Sequence, residues 1–437
     1  MEQPKWGALT PERVSEWINF DRDDKGWQYK ANNAVSMAAK QAEGVAYLWN
    51  TLSLHNVAIL ADEVGMGKTF QALGVASLLW KMKPEAKVLV MAPNRDICRH
   101  WVREYHEFLE AHYRDIDHLV RNAADGGPVN AAHLCWNLES LLNALKTGGG
   151  SLFFTTIHAL SGLVPNEDKS GNLGAKAEKA AGLIHNEIKS IIGKDGFDLI
   201  IVDEAHYFRN AGSGSQRAHA AKAFFGDVDK PLGQNTLLMT ATPSHSGMMD
   251  VANILSYFSD VDHVEGSSDL IALLDKYALR RLRLMKGKGE DQFHNKHHYR
   301  HEEAVAADFS DNPESELFFA LYQKKLVEEV GQSKAGKKFL YGYLEGFESV
   351  GLQEELGEAV KPNESEPADK ASNEFRKAPD SEILEKLTKQ YYERFNTFPE
   401  HPKYGVLVNE MVPGRRFNGN KDLNEDKNLV MANRIHP

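Results

Sequence analysis

The stretch Asn56-Val-Ala-Ile-Leu-Ala-Asp-Glu-Val-Gly-Met-Gly-Lys-Thr69 limits what this chain can fold into more than any other. A short apolar run ends in a turn that holds Gly65 and Gly67. Lys68 and Thr69 then open an amphipathic helix. Strand, glycine turn and helix in that order is how a phosphate-binding loop is built. Backbone N–H groups and the positive end of a helix meet phosphate oxygens, a lysine reaches the β and γ phosphates, and a hydroxyl holds Mg²⁺. The strict pattern places a glycine where this chain has Asp62, so the loop departs from the generic form at its first position.

Two further stretches supply the parts such a loop needs. In Phe197-Asp-Leu-Ile-Ile-Val-Asp-Glu-Ala-His206 an apolar strand delivers two adjacent carboxylates. One carboxylate can hold Mg²⁺ and the next can orient water toward a γ-phosphate. Leu237-Leu-Met-Thr-Ala-Thr-Pro243 is another apolar strand, ending in hydroxyls. The apolar runs Lys87–Pro93 and Ser151–Ile157 read as buried strands, and the segments between them read as helices. Strands alternating with helices imply a parallel sheet covered on both faces. Ligands of such sheets lie beyond the carboxyl ends of the strands, where all three motifs finish.

The order and spacing of these motifs resemble the first RecA-like lobe of superfamily 2 helicases. The Asp-Glu-Val-Gly-Met-Gly-Lys-Thr wording resembles the SWI/SNF branch of duplex-DNA translocases. The Asp-Glu-Ala-His form is similar to bacterial RNA-polymerase-associated remodellers of that branch. The resemblance implies an α/β fold: a RecA-like parallel sheet with helices on both faces, followed by a helical extension and a linker. It implies ATP and Mg²⁺ as cofactors and duplex DNA as partner. The nucleotide-binding set is then Asp62, Glu63, Val64, Gly65, Met66, Gly67, Lys68 and Thr69, with Gln41 as the candidate reader of the adenine edge. A surface glutamine on a helix is the other reading of Gln41.

In that scheme Lys68 binds phosphates, and Thr69 and Asp203 hold Mg²⁺. Glu204 orients water, and His206 with Thr240 and Thr242 couples the nucleotide state to the grip on DNA. Arg95, Arg99, Thr155, Thr156, Arg280 and Arg281 occupy positions where the family meets nucleic acid, the last two in the basic run Lys276–Lys288. Solvated helix arginines and a solvated basic face remain open as readings of the arginines. Two other functional classes stay open as well. One is a non-catalytic nucleotide-binding scaffold module; the other is an RNA helicase or a restriction or antiviral-defence translocase subunit.

Composition narrows the setting. A hydrophobic content of 42% and 26% charged residues fit a globular protein with a sizeable core. Cys98 and Cys135 stand far apart, which argues against a disulfide scaffold and fits a reducing compartment. No basic segment followed by an apolar run opens the chain, and no apolar stretch is long enough to span a bilayer. The expected location is the bacterial cytoplasm, nucleoid-associated, or the nucleus of a eukaryote. The net charge of −11 does not exclude a local basic groove.

The expected organisation is a lead-in over 1–30, an ATP-binding lobe over 31–300, a helical extension with an acidic linker over 301–400, and the start of a second lobe over 401–437. The family's second lobe supplies arginines that stabilise charge on the transferring phosphate, worth about 10³–10⁵ in rate. No such arginine block follows here, so the sequence reads as a half-motor completed by further chain or by a partner. His294, His297, His298 and His301 could hold Zn²⁺ or form a basic surface segment.

Overall fold

The computed structural model describes residues 5–33, 35–114, 118, 120–122, 125–148, 150–161, 163, 173–209, 216–240, 249–260, 267–285, 292, 294–295, 298, 308–309, 312–330, 381–403 and 405–406. The chain divides into two compact units, Met1–Arg300 and His301–Pro437.

Short, wholly apolar segments become the strands of the first unit. They are β1 (Val57–Leu60), β2 (Val88–Ala92), β3 (Ala132–Cys135), β4 (Leu152–Thr156), β5 (Leu199–Val202), β6 (Thr236–Met239) and β7 (Ala278–Leu279). They form one sheet in the order β3-β4-β2-β5-β6-β1-β7. Every pairing is parallel, with Leu60 opposite Met239 and Met91 opposite Val202. Strands β1, β2, β4, β5 and β6 are buried along their whole length. That is why they read as continuous apolar runs without polar alternation.

Alternate side chains of these strands divide between two cores. Leu60, Val90, Ile201 and Leu237 pack with helices α1 (Pro11–Trp17), α2 (Met37–His55), α3 (Lys68–Met82) and α4 (Arg95–Glu107). Ile59, Met91, Ile200 and Leu238 pack with α5 (Leu138–Lys146), α6 (Leu173–Ile192), α7 (Gln216–Phe225), α8 (Met249–Leu255) and α9 (Ser267–Tyr277). The sheet is therefore sandwiched, as its apolar runs demand. Each fully buried Leu or Ile contributes roughly 1.5–3 kcal/mol.

Caps fix where helices begin. The Thr10 hydroxyl accepts from Arg13 N at 3.4 Å and caps α1. Helix α2 begins at Met37, where Ser36 Oγ accepts from Ala39 N at 3.1 Å. The lead-in belongs to the first core: Val14, Ile18, Phe20 and Trp27 are buried in it. In the second unit, helices Pro313–Val330 and Ser381–Phe395 bring Phe318 and Tyr391 to 5.3 Å, ring to ring. Among the described residues, no helix is long and apolar enough to cross a membrane.

Candidate active site

The three sequence motifs finish on neighbouring strands, because the sheet runs β5-β6-β1 at its centre. At the end of β1 the chain leaves the sheet and turns into α3. Gly65 and Gly67 take φ of +83° and +68°, a left-handed backbone that residues with a Cβ rarely adopt. Gly67 is the N-cap of α3, and no side chain caps the helix there. The open end of a fifteen-residue helix thus meets the loop, with its N–H groups and positive dipole end. Met66 is buried and anchors the turn, whereas Val64 is 70% exposed at its tip. Thr69 is half-buried in the first turn of α3.

Lys68 folds back over this loop, and its ammonium donates to Asp62 O at 2.9 Å. Burial lowers its pKa, while Glu204, Asp62, Asp203 and Glu63 pull it upward.

Asp203 follows β5 and is fixed from three sides. Its N–H donates to Met91 O at 2.8 Å. Its carboxylate accepts from Trp101 Nε1 at 2.9 Å and from Glu204 N at 2.9 Å. Burial pushes its pKa up, and Glu204 adds to this; the Trp101 and Glu204 hydrogen bonds and Lys68 act in the opposite sense. Glu204 adopts φ 51° and ψ 51°. A left-handed glutamate is strained, and such strain persists where surrounding structure holds it. Here Asp203 and the short helix Ala205–Phe208 hold it from both sides. Glu204 Oε2 lies 3.0 Å from His206 Nδ1, and His206 stacks on Tyr207 at 4.8 Å. Beyond Tyr207, Arg217 donates to Ser161 Oγ at 2.9 Å and lies 3.1 Å from His158 Nδ1. Burial depresses the pKa of both His158 and Arg217.

Other residues singled out by sequence fall in varied places. Gln41 is buried, and its Nε2 donates to Met66 O at 3.3 Å, so it supports the loop from behind. It is not a surface glutamine, and the amide is directed at loop backbone. Thr240 is buried, with its N–H on Leu60 O at 3.1 Å; Thr242 lies outside the described residues. Arg95 and Arg99 are exposed at the start of α4, 5.5 and 5.3 Å from the Trp136 ring, and Arg99 pairs with Asp96 at 2.7 Å. Thr155 and Thr156 are buried inside the sheet end, away from solvent. Arg280 is exposed, but Arg281 is turned inward onto Asp62. The reading of Arg281 as a nucleic-acid contact is therefore corrected: its guanidinium is already committed to a buried carboxylate. Of the histidine cluster, His294 and His298 stack at 3.9 Å, while His297 and His301 lie outside the described residues. Among the described residues no group of three potential metal ligands occurs.

Sequence reasoning overlooked Trp101 as the partner of Asp203, and Gln71 and Arg281 as the partners of Asp62. Trp101 sits on the apolar face of α4, where only the fold reveals that its N–H reaches a carboxylate 102 positions away.

Comparison with known proteins agrees with this geometry. Residues 34–245 match the family described as "Type III restriction enzyme, res subunit". A DNA repair and recombination protein RAD54-like of Danio rerio is 23% identical over 262 residues, 57% of this chain and 29% of that protein. Its counterpart in Gallus gallus is 29% identical over 63% of this chain and 33% of its own length. The CHD3-type chromatin-remodeling factor CHR7 of Arabidopsis thaliana is 22% identical over 56% of this chain and 18% of its own length. The chain thus spans a third or less of these relatives. The solved Sulfolobus solfataricus SWI2/SNF2 ATPase core in complex with dsDNA aligns over 77% of this chain and 62% of that one, at 15% identity and a TM-score of 0.38. That overlap is too loose to add to what the strand order establishes. Residues 34–245, which match that family description, span the phosphate loop, the Asp-Glu-Ala-His strand and the hydroxyl-ended strand, and over much of the same span this chain is similar to DNA-repair and chromatin-remodelling proteins.

Proposed function

We propose that the first unit is the ATP-binding lobe of a DNA-dependent ATPase that moves on duplex DNA when a second RecA-like lobe completes it. The observation that carries this reading is the left-handed glycine loop and open N-terminus of α3 at the end of β1, in the same parallel sheet as β5, which leads into Asp203 and Glu204. The residues fit Mg-ATP. An open helix end and left-handed glycines suit phosphate oxygens. A half-buried carboxylate held by the Trp101 N–H suits Mg²⁺, which keeps much of its water shell and takes few protein ligands.

When bound, Mg-ATP supplies the phosphoryl group whose transfer to water drives movement. Lys68, which here donates to Asp62 O, would meet phosphate oxygen and offset its charge, and Asp203 and Thr69 would hold Mg²⁺. Glu204 accepts a proton from the attacking water, and His206, 3.0 Å from its carboxylate, positions it. Arg95 and Arg99, exposed at the start of α4 and 5.5 and 5.3 Å from the Trp136 ring, are cations we assign to meet a DNA backbone. The RAD54-like DNA repair and recombination proteins and the chromatin-remodelling factor that this chain resembles favour duplex DNA as the track. The restriction-enzyme family description favours a second reading, a translocating subunit in DNA restriction. A cytoplasmic or nuclear location follows from either reading.

The test is ATP binding and hydrolysis by the chain, with and without duplex DNA, beside Lys68→Ala. ATP binding that Lys68→Ala abolishes without unfolding supports the reading. Equal affinity in the two proteins removes Lys68 from the site and overturns it. Turnover stimulated by DNA means that a second copy or a residue of this chain completes the site.

A further inference from the structure

The first position of the phosphate loop is Asp62, and its surroundings are unusual for a carboxylate. It is fully buried. Burying an ionised carboxylate is unfavourable unless charge and hydrogen bonds compensate it. Compensation comes from a segment 219 positions away. Arg281 N and Nε donate to Asp62 Oδ1 at 3.0 and 3.1 Å, and an Arg281 terminal nitrogen meets Asp62 Oδ2 at 2.5 Å. Gln71 Nε2 adds a donor to Oδ2 at 3.2 Å, and its Oε1 accepts from Arg281 at 2.9 Å. Arg281 also donates to Lys40 O on α2 and lies 3.8 Å from Glu43. Room for it exists because position 44 is glycine: a Cβ there would lie 2.7 Å from the Arg281 guanidinium and 1.8 Å from Gln71 Oε1.

The main chain carries the same connection. β7 pairs with β1, and the ladder runs on past the strand ends: Ala61 N donates to Leu279 O at 2.8 Å and Glu63 N to Arg281 O at 3.1 Å. Arg283 N donates to Glu63 Oε2 at 2.8 Å. Residues 279–283 thus form an edge along the loop up to Glu63. Asp62 O is the acceptor that Lys68 holds, and Gln71 Nε2 also reaches Met66 O at 3.1 Å. A shift of the Asp62 carboxylate therefore moves groups on both sides of the phosphate cradle.

We propose that Arg281 is a positioning residue for ATP binding: by holding buried Asp62 it fixes the backbone of residues 62–67 in the phosphate-accepting shape. This rests on the reading of the loop as an ATP site. It assigns to the inner arginine of the basic run a role within the lobe, and leaves Arg280 as the exposed one of the pair.

The experiment measures affinity for a fluorescent ATP analogue, together with duplex-DNA affinity and thermal midpoint, on the full chain. The variants are Arg281→Gln, Asp62→Asn and the double substitution. Charged hydrogen bonds are worth enough that losing them weakens ATP binding about 10- to 100-fold in Arg281→Gln. The double variant, with no uncompensated charge, recovers most of that affinity. A merely structural role lowers the thermal midpoint without this selective loss and rescue. Should Arg281→Gln fail to fold, Asp62→Asn alone serves: it keeps the side-chain shape, loosens the arginine and is expected to weaken ATP. Unchanged ATP affinity in a folded variant overturns the proposal. So does lost DNA affinity with ATP binding intact, which makes Arg281 a DNA contact. If the unsubstituted chain binds no ATP, the underlying reading fails and takes this one with it.

Discussion

Replacing Trp101 with phenylalanine tests whether the tunable acid of the site is Asp203. Trp101 is buried, and its Nε1–H reaches Asp203 Oδ2 at 2.9 Å. Desolvation holds the Asp203 pKa above its ordinary value of 3.8, and this hydrogen bond is the largest effect opposing it. The folded state thus binds the Asp203 proton more tightly than the unfolded state does. Stability from that proton is complete below the unfolded pKa and declines as pH rises through the folded one. Mg²⁺ requires the ionised form, so Mg-ATP affinity falls as pH drops through the same window.

Trp101→Phe removes a donor to a charged group, worth about 1.5–3 kcal/mol. The carboxylate becomes harder to ionise, and the acidic limb of Mg-ATP binding moves to higher pH. On that limb affinity drops about 10- to 100-fold, since 1.4 kcal/mol is a factor of ten. The lost ring also weakens the core by about 1–3 kcal/mol, so binding is measured well below the thermal midpoint. Titrating a fluorescent ATP analogue with Mg²⁺ from acid pH upward reads the limb directly. A limb that stays where it is in a folded variant refutes the reasoning, because Asp203 ionisation is then not what Mg-ATP binding senses.

Glu204→Gly releases a left-handed residue and is expected to stabilise the fold by about 1 kcal/mol in chemical denaturation while eliminating turnover in a two-lobe protein; a loss of stability shows that the glutamate is not strained. Gly196→Ala, at φ +69° just before β5, would place a Cβ 1.9 Å from Leu232 O. It is expected to destabilise by about 2–4 kcal/mol, read as a lowered thermal midpoint, with an unchanged midpoint as the contrary result.

Strands buried on both faces were legible in the sequence because nothing polar interrupts them. Lys87–Pro93 and Ser151–Ile157 contain β2 and β4 whole. The elements that escaped notice carry weaker signals. β3 is Ala-His-Leu-Cys, with three of its four residues only partly buried or exposed, as expected at a sheet edge. β7 is two residues long, too short for any period to register. Helix α7 is Gln-Arg-Ala-His-Ala-Ala-Lys-Ala-Phe-Phe, where small alanines on every side hide which face is inward.

The same distinction separates the parts of the site. Lys68, Asp203 and Glu204 were legible because each lies in a local strand-to-turn pattern whose chemistry is carried by adjacent residues. Their supports were not, because Trp101 and Arg281 act across 102 and 219 positions. A basic run is read from sequence as a surface, and for Arg280 that reading agrees with its exposure. One residue on, the backbone still follows the edge of β1, and Arg281 points the opposite way into the only compensation a buried Asp62 receives from a cation among the described contacts. The departure from the generic loop and the inward arginine are therefore one feature. A loop beginning with aspartate in place of glycine needs a cation behind it, and the chain delivers that cation from the segment by which it leaves the sheet.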